Sequence, residues 1–304
     1  MEKTVKKLLI AAPPKKTSYL QGEMFNPQGI IVNAEHDDGT VAENVGFTVI
    51  TNSPLHPNDA AAVIEYGGAK AEIKIKVRWL GNVKKYCVSA AGCDKKSPLK
   101  DKTYLFLGSS VTVGSGPTHD SMADYIAKRN GCNVIKVAVS GTTLADTNYR
   151  SYVRRLDKYI KTKDRAPRLD AFICQLSTND SNIPEFFGSI TPREQKDKTA
   201  LDKSTTLGAI EYIVATVKET WDCDILFYTN SYFDKPQYGK MVDALTVLSE
   251  KWGFTIIDLY NDKEFNDITN KQRELYMHDD IHPTRAGYRD WWTPKFEEAL
   301  KKLL

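Results

Sequence analysis

The chain has 304 residues, of which 41% are hydrophobic and 27% charged, and its net charge is +3. This is the composition of a soluble globular protein long enough for two domains. Charges of both signs are interspersed, which leaves no basic stripe for nucleic acid, and no apolar run approaches the ~20 residues of a membrane-spanning helix.

The N-terminus, MEKTVKKLLIAAPPKK, is basic, but its apolar part, Leu8 to Ala12, is shorter than the ~7–15 residues of a signal-peptide core. It reads as a first β-strand. The protein is therefore expected in the cytoplasm as the sequence stands, or outside the cell if a leader was removed. Further β-type runs follow at Gly29–Ala34, Val45–Thr51, Ala61–Tyr66 and Ala71–Val77. Turn signals separate them: Asp38-Gly39, Asn52-Ser53-Pro54, Pro57-Asn58-Asp59 and Gly67-Gly68. Short strands at this spacing predict a small β-sandwich over residues 1–78. His36 and His56 fall in turn-rich stretches and are expected to be solvated.

This region resembles a bacterial immunoglobulin-like (Big) domain. The resemblance rests on Tyr19-Leu20-Gln21-Gly22-Glu23 near the first strands, the Asp38-Gly39 hairpin and the Tyr66-Gly67-Gly68 turn before the last strand. It implies an immunoglobulin-like sandwich acting as a spacer or carbohydrate-proximal module, without catalysis.

Residues 79–102 read as a linker that ends in the charged, proline-containing DKKSPLKDK. The cysteines are Cys87, Cys93, Cys132, Cys174 and Cys223, with no C-x-x-C pair. Cys132, Cys174 and Cys223 lie in or beside apolar runs and are expected as core thiols. Cys87 and Cys93 are either free or bridged in an oxidising compartment.

From Thr103 the texture changes. Buried-strand runs at Tyr104–Leu107, Val134–Val139, Ala171–Leu176, Ile225–Thr229 and Thr255–Leu259 alternate with amphipathic stretches such as Leu207–Trp221 and Met241–Trp252. A last helix over Ala286–Leu304 carries Trp292, Phe296, Leu300 and Leu303 on one stripe. Regular βα alternation predicts a doubly wound, mostly parallel sheet with helices on both faces.

In such sheets ligands bind at the carboxyl edge of the strands. The first strand ends in Gly108-Ser109-Ser110-Val111-Thr112, which is neither Gly-x-Ser-x-Gly nor a phosphate or dinucleotide loop. Hydrolytic chemistry at a serine needs an exposed hydroxyl, a base, a group that orients the base, and donors for the oxyanion. Ser109 and Ser110 are the nucleophile candidates. His282 is the base candidate, with Asp279 three residues earlier to fix its tautomer. Gly141, in Ser140-Gly141-Thr142-Thr143, and Asn179, in Ser177-Thr178-Asn179-Asp180, are the donor candidates. Each segment alone also reads as an ordinary polar loop: Ser140, Thr142 and Thr143 as helix caps, Asn179 as a turn residue.

Together, and in this order, the segments resemble the SGNH (GDSL-type) hydrolase family. Its blocks are Gly-Asp-Ser-x-Thr, a lone Gly, Gly-x-Asn-Asp and Asp-x-x-His-Pro. Here they stand as Gly108–Thr112, Gly141, Ser177–Asp180 and Asp279–Pro283, with Ser109 in place of the aspartate and Ser177 in place of the glycine. The resemblance spans roughly residues 103–304. It implies a flavodoxin-like three-layer α/β/α sandwich with a parallel sheet, and a serine esterase working through an acyl-enzyme without a cofactor. The implied catalytic residues are Ser110, His282 and Asp279, and the implied oxyanion hole is the Ser110 and Gly141 N–H groups with the Asn179 side chain. Members cleave acetyl groups from polysaccharides as well as lipid, thio- and aryl esters.

Rival readings are a zinc site at His278, Asp279, Asp280 and His282, a carbohydrate-binding protein with an inactive site, and a sugar acyltransferase. Against zinc, there is no His-Glu-x-x-His and Pro283 abuts the second histidine. The preferred substrate is a carbohydrate ester with a short acyl group, with a lipase or thioesterase as the alternative. Tyr232, Phe233, Tyr238, Tyr276, Trp291 and Trp292 are available to stack on sugar rings or to pack.

Overall fold

A computed structural model describes residues 3–116 and 119–304. The chain divides into two compact units, one ending at Val83 and one spanning Lys84–Leu304. Among the described residues no helix is long and apolar enough to cross a membrane.

The first unit is all-β. Strands β1 (Val5–Ala12), β3 (Ile31–His36) and β4 (Val41–Ala42) form one antiparallel sheet, and β5 (Thr48–Val49), β6 (Ala61–Tyr66) and β7 (Ala69–Lys74) form another. A short parallel pair joins β2 (Ser18–Leu20) to β8 (Lys76–Arg78). Alternation sets the core: Val32 and Ala34 of β3 and Ala62 and Ile64 of β6 turn inward onto Leu8, Tyr19, Leu55 and Ile73. Gly67 and Gly68 both take positive φ, as the tight β6–β7 hairpin requires. The run expected at Ala71–Val77 is broken: Ile75 bonds to Ala60, and the chain then leaves β6 to pair with β2. The run expected at Val45–Thr51 keeps regular strand register at Thr48–Val49, and Ile50 N–H then donates to the Val63 carbonyl at 2.8 Å. His36 is half-buried and His56 is exposed.

The second unit begins inside the stretch read as a linker. Within it, Leu99 is fully buried, and Ser97 donates to Asn130 at 2.7 Å. The Tyr125 hydroxyl donates to the Tyr86 carbonyl. Five parallel strands follow: β9 (Thr103–Gly108), β10 (Asn133–Ala138), β11 (Ala171–Gln175), β12 (Asp224–Tyr228) and β13 (Thr255–Ile257). They lie in the order β10-β9-β11-β12-β13, the flavodoxin-like arrangement whose switch point falls beside the first strand.

The strands read as unbroken apolar runs because both faces are covered. Leu105 and Leu107 of β9 face a core built with α3 (Tyr152–Ile160), α4 (Thr206–Thr220) and α5 (Pro236–Trp252). Tyr104 and Phe106 face the opposite core, built with α2 (Met122–Asn130) and α8 (Thr293–Lys301). The last helical stretch differs from the expected single helix. Residues Gly287–Trp292 form a π-helical turn before α8, and it turns both Tyr288 and Trp292 inward. All five cysteines are free; Cys132 and Cys174 are buried and Cys223 is half-buried.

At the end of β9 the backbone passes directly into α1 (Ser110–Val113). A Cβ on residue 108 would lie 1.6 Å from Thr112 Oγ1 and 2.9 Å from Gln175 Oε1. Gly108→Ala is therefore expected to lower stability by ~1–3 kcal/mol or more through overpacking. Urea unfolding measures it, and a variant as stable as wild type would show that the turn has room to relax.

Candidate active site

The switch point places the ends of β10, β9 and β11 side by side, with Ala138 opposite Gly108 and Cys174 opposite Leu107. Ser110 follows β9, Gly141 follows β10 and Asn179 follows β11, so three distant segments meet at one edge.

Ser110 is the first residue of α1 and is almost fully buried. Its Oγ lies 2.7 Å from His282 Nε2. On the other side of the imidazole, Nδ1 lies 2.9 Å from Asp279 Oδ2 and 3.0 Å from Oδ1. A carboxylate there holds the proton on Nδ1 and leaves Nε2 to accept from the serine hydroxyl. The segment that carries both residues is a closed loop. Met277 and Pro283 pair across its neck, His278 N–H donates to the His282 carbonyl at 2.8 Å, and Thr284 N–H donates to the Tyr276 carbonyl at 2.7 Å. Asp279 Oδ1 also accepts the Ile281 and His282 N–H groups, each at 2.8 Å. Burial alone would raise the Asp279 pKa, but hydrogen bonds from His278, His282 and the two backbone N–H groups outweigh it and hold the carboxyl well below the usual range.

The Gly141 loop is fixed by its neighbours. Gly141 has φ +73°, is exposed, and a Cβ there would meet nothing within 4 Å. Its glycine therefore answers to backbone conformation rather than to crowding. Asn179 Nδ2 donates to the Thr142 carbonyl at 2.8 Å, which leaves its second N–H for another acceptor. Asp180 is buried under the same loop and accepts Leu144 N–H at 2.8 Å, Ala145 N–H at 3.0 Å and the Thr206 hydroxyl at 3.0 Å. Burial pushes its pKa up, against these hydrogen bonds. In the sequence Asp180 is only a charged residue directly after Asn179, with no role implied for it.

Such an assembly can take a proton from a hydroxyl, deliver it to a leaving group, and present N–H donors to a developing negative charge. A model of the GDSL-like lipase/acylhydrolase family matches residues 106–289, more than half of the chain. The chain belongs to this family. It is a carboxylic ester hydrolase of the SGNH/GDSL type. Among solved structures, a protein from Lactobacillus plantarum is 18% identical with TM-score 0.52, covering 67% of this chain and 98% of its own. A second crystal structure is 20% identical with TM-score 0.55 and the same coverage, 67% and 98%. Both show the fold. The lipase/acylhydrolase from Enterococcus faecalis is 14% identical with TM-score 0.40, over 66% of this chain and 96% of that one. No curated protein matches the chain.

Both departures from the family pattern have a structural place in this acylhydrolase. Ser109 is fully buried; its N–H donates to Gln175 Oε1 at 2.8 Å and its hydroxyl reaches the same oxygen at 3.3 Å. It lies beneath the site, and of the two serines only Ser110 meets His282. Ser177 accepts Asn179 N–H at 3.2 Å and donates to the Thr142 carbonyl at 3.4 Å, bracing the loop that carries the asparagine. Among the described residues no group of three or more His, Cys, Asp and Glu side chains could hold a metal ion. Of the aromatics, Tyr238 and Trp292 are fully buried and Trp291 nearly so, while Tyr232 is 49% exposed. The first three pack in the core.

The Asp279 shift fixes a sign. Its folded pKa lies well below the unfolded value of ~3.9, so its stabilising contribution is full above that pH and is lost progressively as pH falls from there toward the folded value. Urea midpoints of wild type and Asp279→Asn, measured from neutral pH downward, are expected to differ most above pH ~4 and to draw progressively together as pH falls further. A gap independent of pH would contradict this.

Proposed function

We propose that Ser110 is the nucleophile of an acyl-enzyme mechanism in which His282 is general base and then general acid, and Asp279 orients the imidazole. The observation that carries this reading is the continuous line from Asp279 through His282 to Ser110, with contacts of 2.9 and 2.7 Å. Ser110 Oγ attacks the ester carbonyl while its proton passes to His282 Nε2. The tetrahedral oxyanion is held by the Ser110 and Gly141 N–H groups and the Asn179 side chain. Its collapse breaks the C–O bond, and the alkoxide leaves with the proton from His282. Water, deprotonated by the same imidazole, then releases the acid.

The substrate we infer is a carbohydrate carrying acetyl or another short acyl group. Support comes from the rim. The segment after β12 bonds to both flanking loops, through Lys235 Nζ to Asn182 at 2.8 Å and Asn230 Nδ2 to the Ile281 carbonyl at 3.3 Å. It presents exposed Tyr232, backed by Tyr260 with ring centroids 5.1 Å apart. An open aromatic ring at this edge suits the face of a sugar.

Two measurements test the reading. Ser110→Ala is expected to abolish hydrolysis of p-nitrophenyl acetate with the fold intact by circular dichroism, while Ser109→Ala stays active; the reverse pattern would overturn the assignment. In a panel of acetylated xylan, acetylated sialic acid and p-nitrophenyl esters of rising chain length, activity is expected to fall with acyl length. A preference for long chains would sink the carbohydrate reading.

A further inference from the structure

Arg155 sits on α3, beneath the carboxyl ends of β9 and β10. Among the described residues, the hydrogen bonds of its guanidinium go to neutral oxygens. Nε donates to the Arg150 carbonyl at 3.0 Å, and one terminal nitrogen donates to the Val137 carbonyl. The other donates to the Gly108 carbonyl at 2.8 Å and to Thr142 Oγ1 at 3.1 Å. The guanidinium lies over the Tyr152 ring, 4.9 Å from its centroid. Burial draws its pKa down.

This arrangement is unusual for a partly buried cation, which ordinarily finds an anion. The atoms it contacts have a common feature. Gly108 directly precedes Ser109 and Ser110, and Thr142 directly follows Gly141. One terminal nitrogen thus bridges the turn carrying one proposed oxyanion donor and the loop carrying the other. Thr142 passes the constraint on, since its hydroxyl donates to the Val139 carbonyl at 2.7 Å while its own carbonyl accepts from Asn179. The rigid fork of arginine can hold several acceptors in fixed relation, which a lysine ammonium cannot.

We propose that Arg155 is a positioning residue of the oxyanion hole. It sets the separation of the Ser110 and Gly141 N–H donors, and it keeps a fixed positive charge behind the site where negative charge develops. The proposal rests on the assignment of those two groups as donors. It predicts that loss of Arg155 weakens the transition state and leaves ground-state binding alone.

The test compares Arg155→Met, Arg155→Lys and Thr142→Val with wild type, using p-nitrophenyl acetate kinetics and the affinity of phenylboronic acid, whose serine adduct places an oxygen where the oxyanion forms. Arg155→Met is expected to lower kcat about 100-fold, in line with loss of one oxyanion donor. KM should stay within about 2-fold, and boronate affinity should fall in parallel with kcat. Arg155→Lys is expected to fall between the two, because it keeps the charge without the fork. Should the methionine variant fail to fold, the lysine and valine variants decide. Their effects on kcat are expected to be non-additive in the double variant, because both break the same bridge. Folded variants with wild-type kcat and boronate affinity, a change confined to KM, or additive effects would each overturn the proposal. Boronate binding that is absent in Ser110→Ala is the control for the underlying assignment; if it persists there, that assignment fails instead.

Discussion

The site depends on a steric constraint at the end of one strand. No side chain fits at residue 108, where a Cβ would collide with Thr112 Oγ1. With glycine there, the Thr112 hydroxyl packs under the turn, donating to Gln175 Oε1 at 2.9 Å and meeting the Tyr228 hydroxyl at 2.6 Å. The Val111 carbonyl is held from the other side by the Tyr288 hydroxyl at 2.9 Å. A four-residue helix has little stability of its own. Here, contacts from β11, β12 and the π-helical turn fix it in place, and Ser110 with it.

The remaining parts of the site are arranged around that fixed point by buried polar groups. Gln175 Oε1 accepts from Ser109 and Thr112, Asp180 accepts two N–H groups of the Gly141 loop, and Arg155 spans the two loops. Buried polar groups are costly when unpaired and rigidifying when satisfied. Their concentration under one edge of the sheet fixes the loop that carries the exposed Gly141, the donor proposed above. In the proposed mechanism this is preorganisation, with donors held in place before charge develops.

The parallel sheet was legible in the sequence because strands buried on both faces leave continuous apolar runs, and each of the five was found to within a few residues. The blocks around Ser110, Gly141, Asn179 and His282 were legible because their residue types and order are specific together, though each alone is an ordinary loop. The supports were not legible. Arg155 looks like one more charge on an amphipathic helix, and Asp180 like part of a polar turn; their burial is decided by chain segments far away in sequence. The charged stretch before Thr103 reads as a linker because charge hides the few residues, Tyr86 and Leu99, that anchor it. The π-helical turn at Gly287–Trp292 brings the Tyr288 hydroxyl to the Val111 carbonyl and stacks Trp292 on Phe296, contacts that an apolar stripe alone does not reveal.

The most direct test of the central claim is covalent. A fluorophosphonate probe reacts with a serine only when a base activates it and an oxyanion hole receives the phosphoryl oxygen. Peptide mass spectrometry of the labelled protein is predicted to find the adduct on Ser110, none on Ser109, and none on either after His282→Ala. An adduct on Ser109, or labelling of Ser110 that survives the loss of His282, would contradict the account.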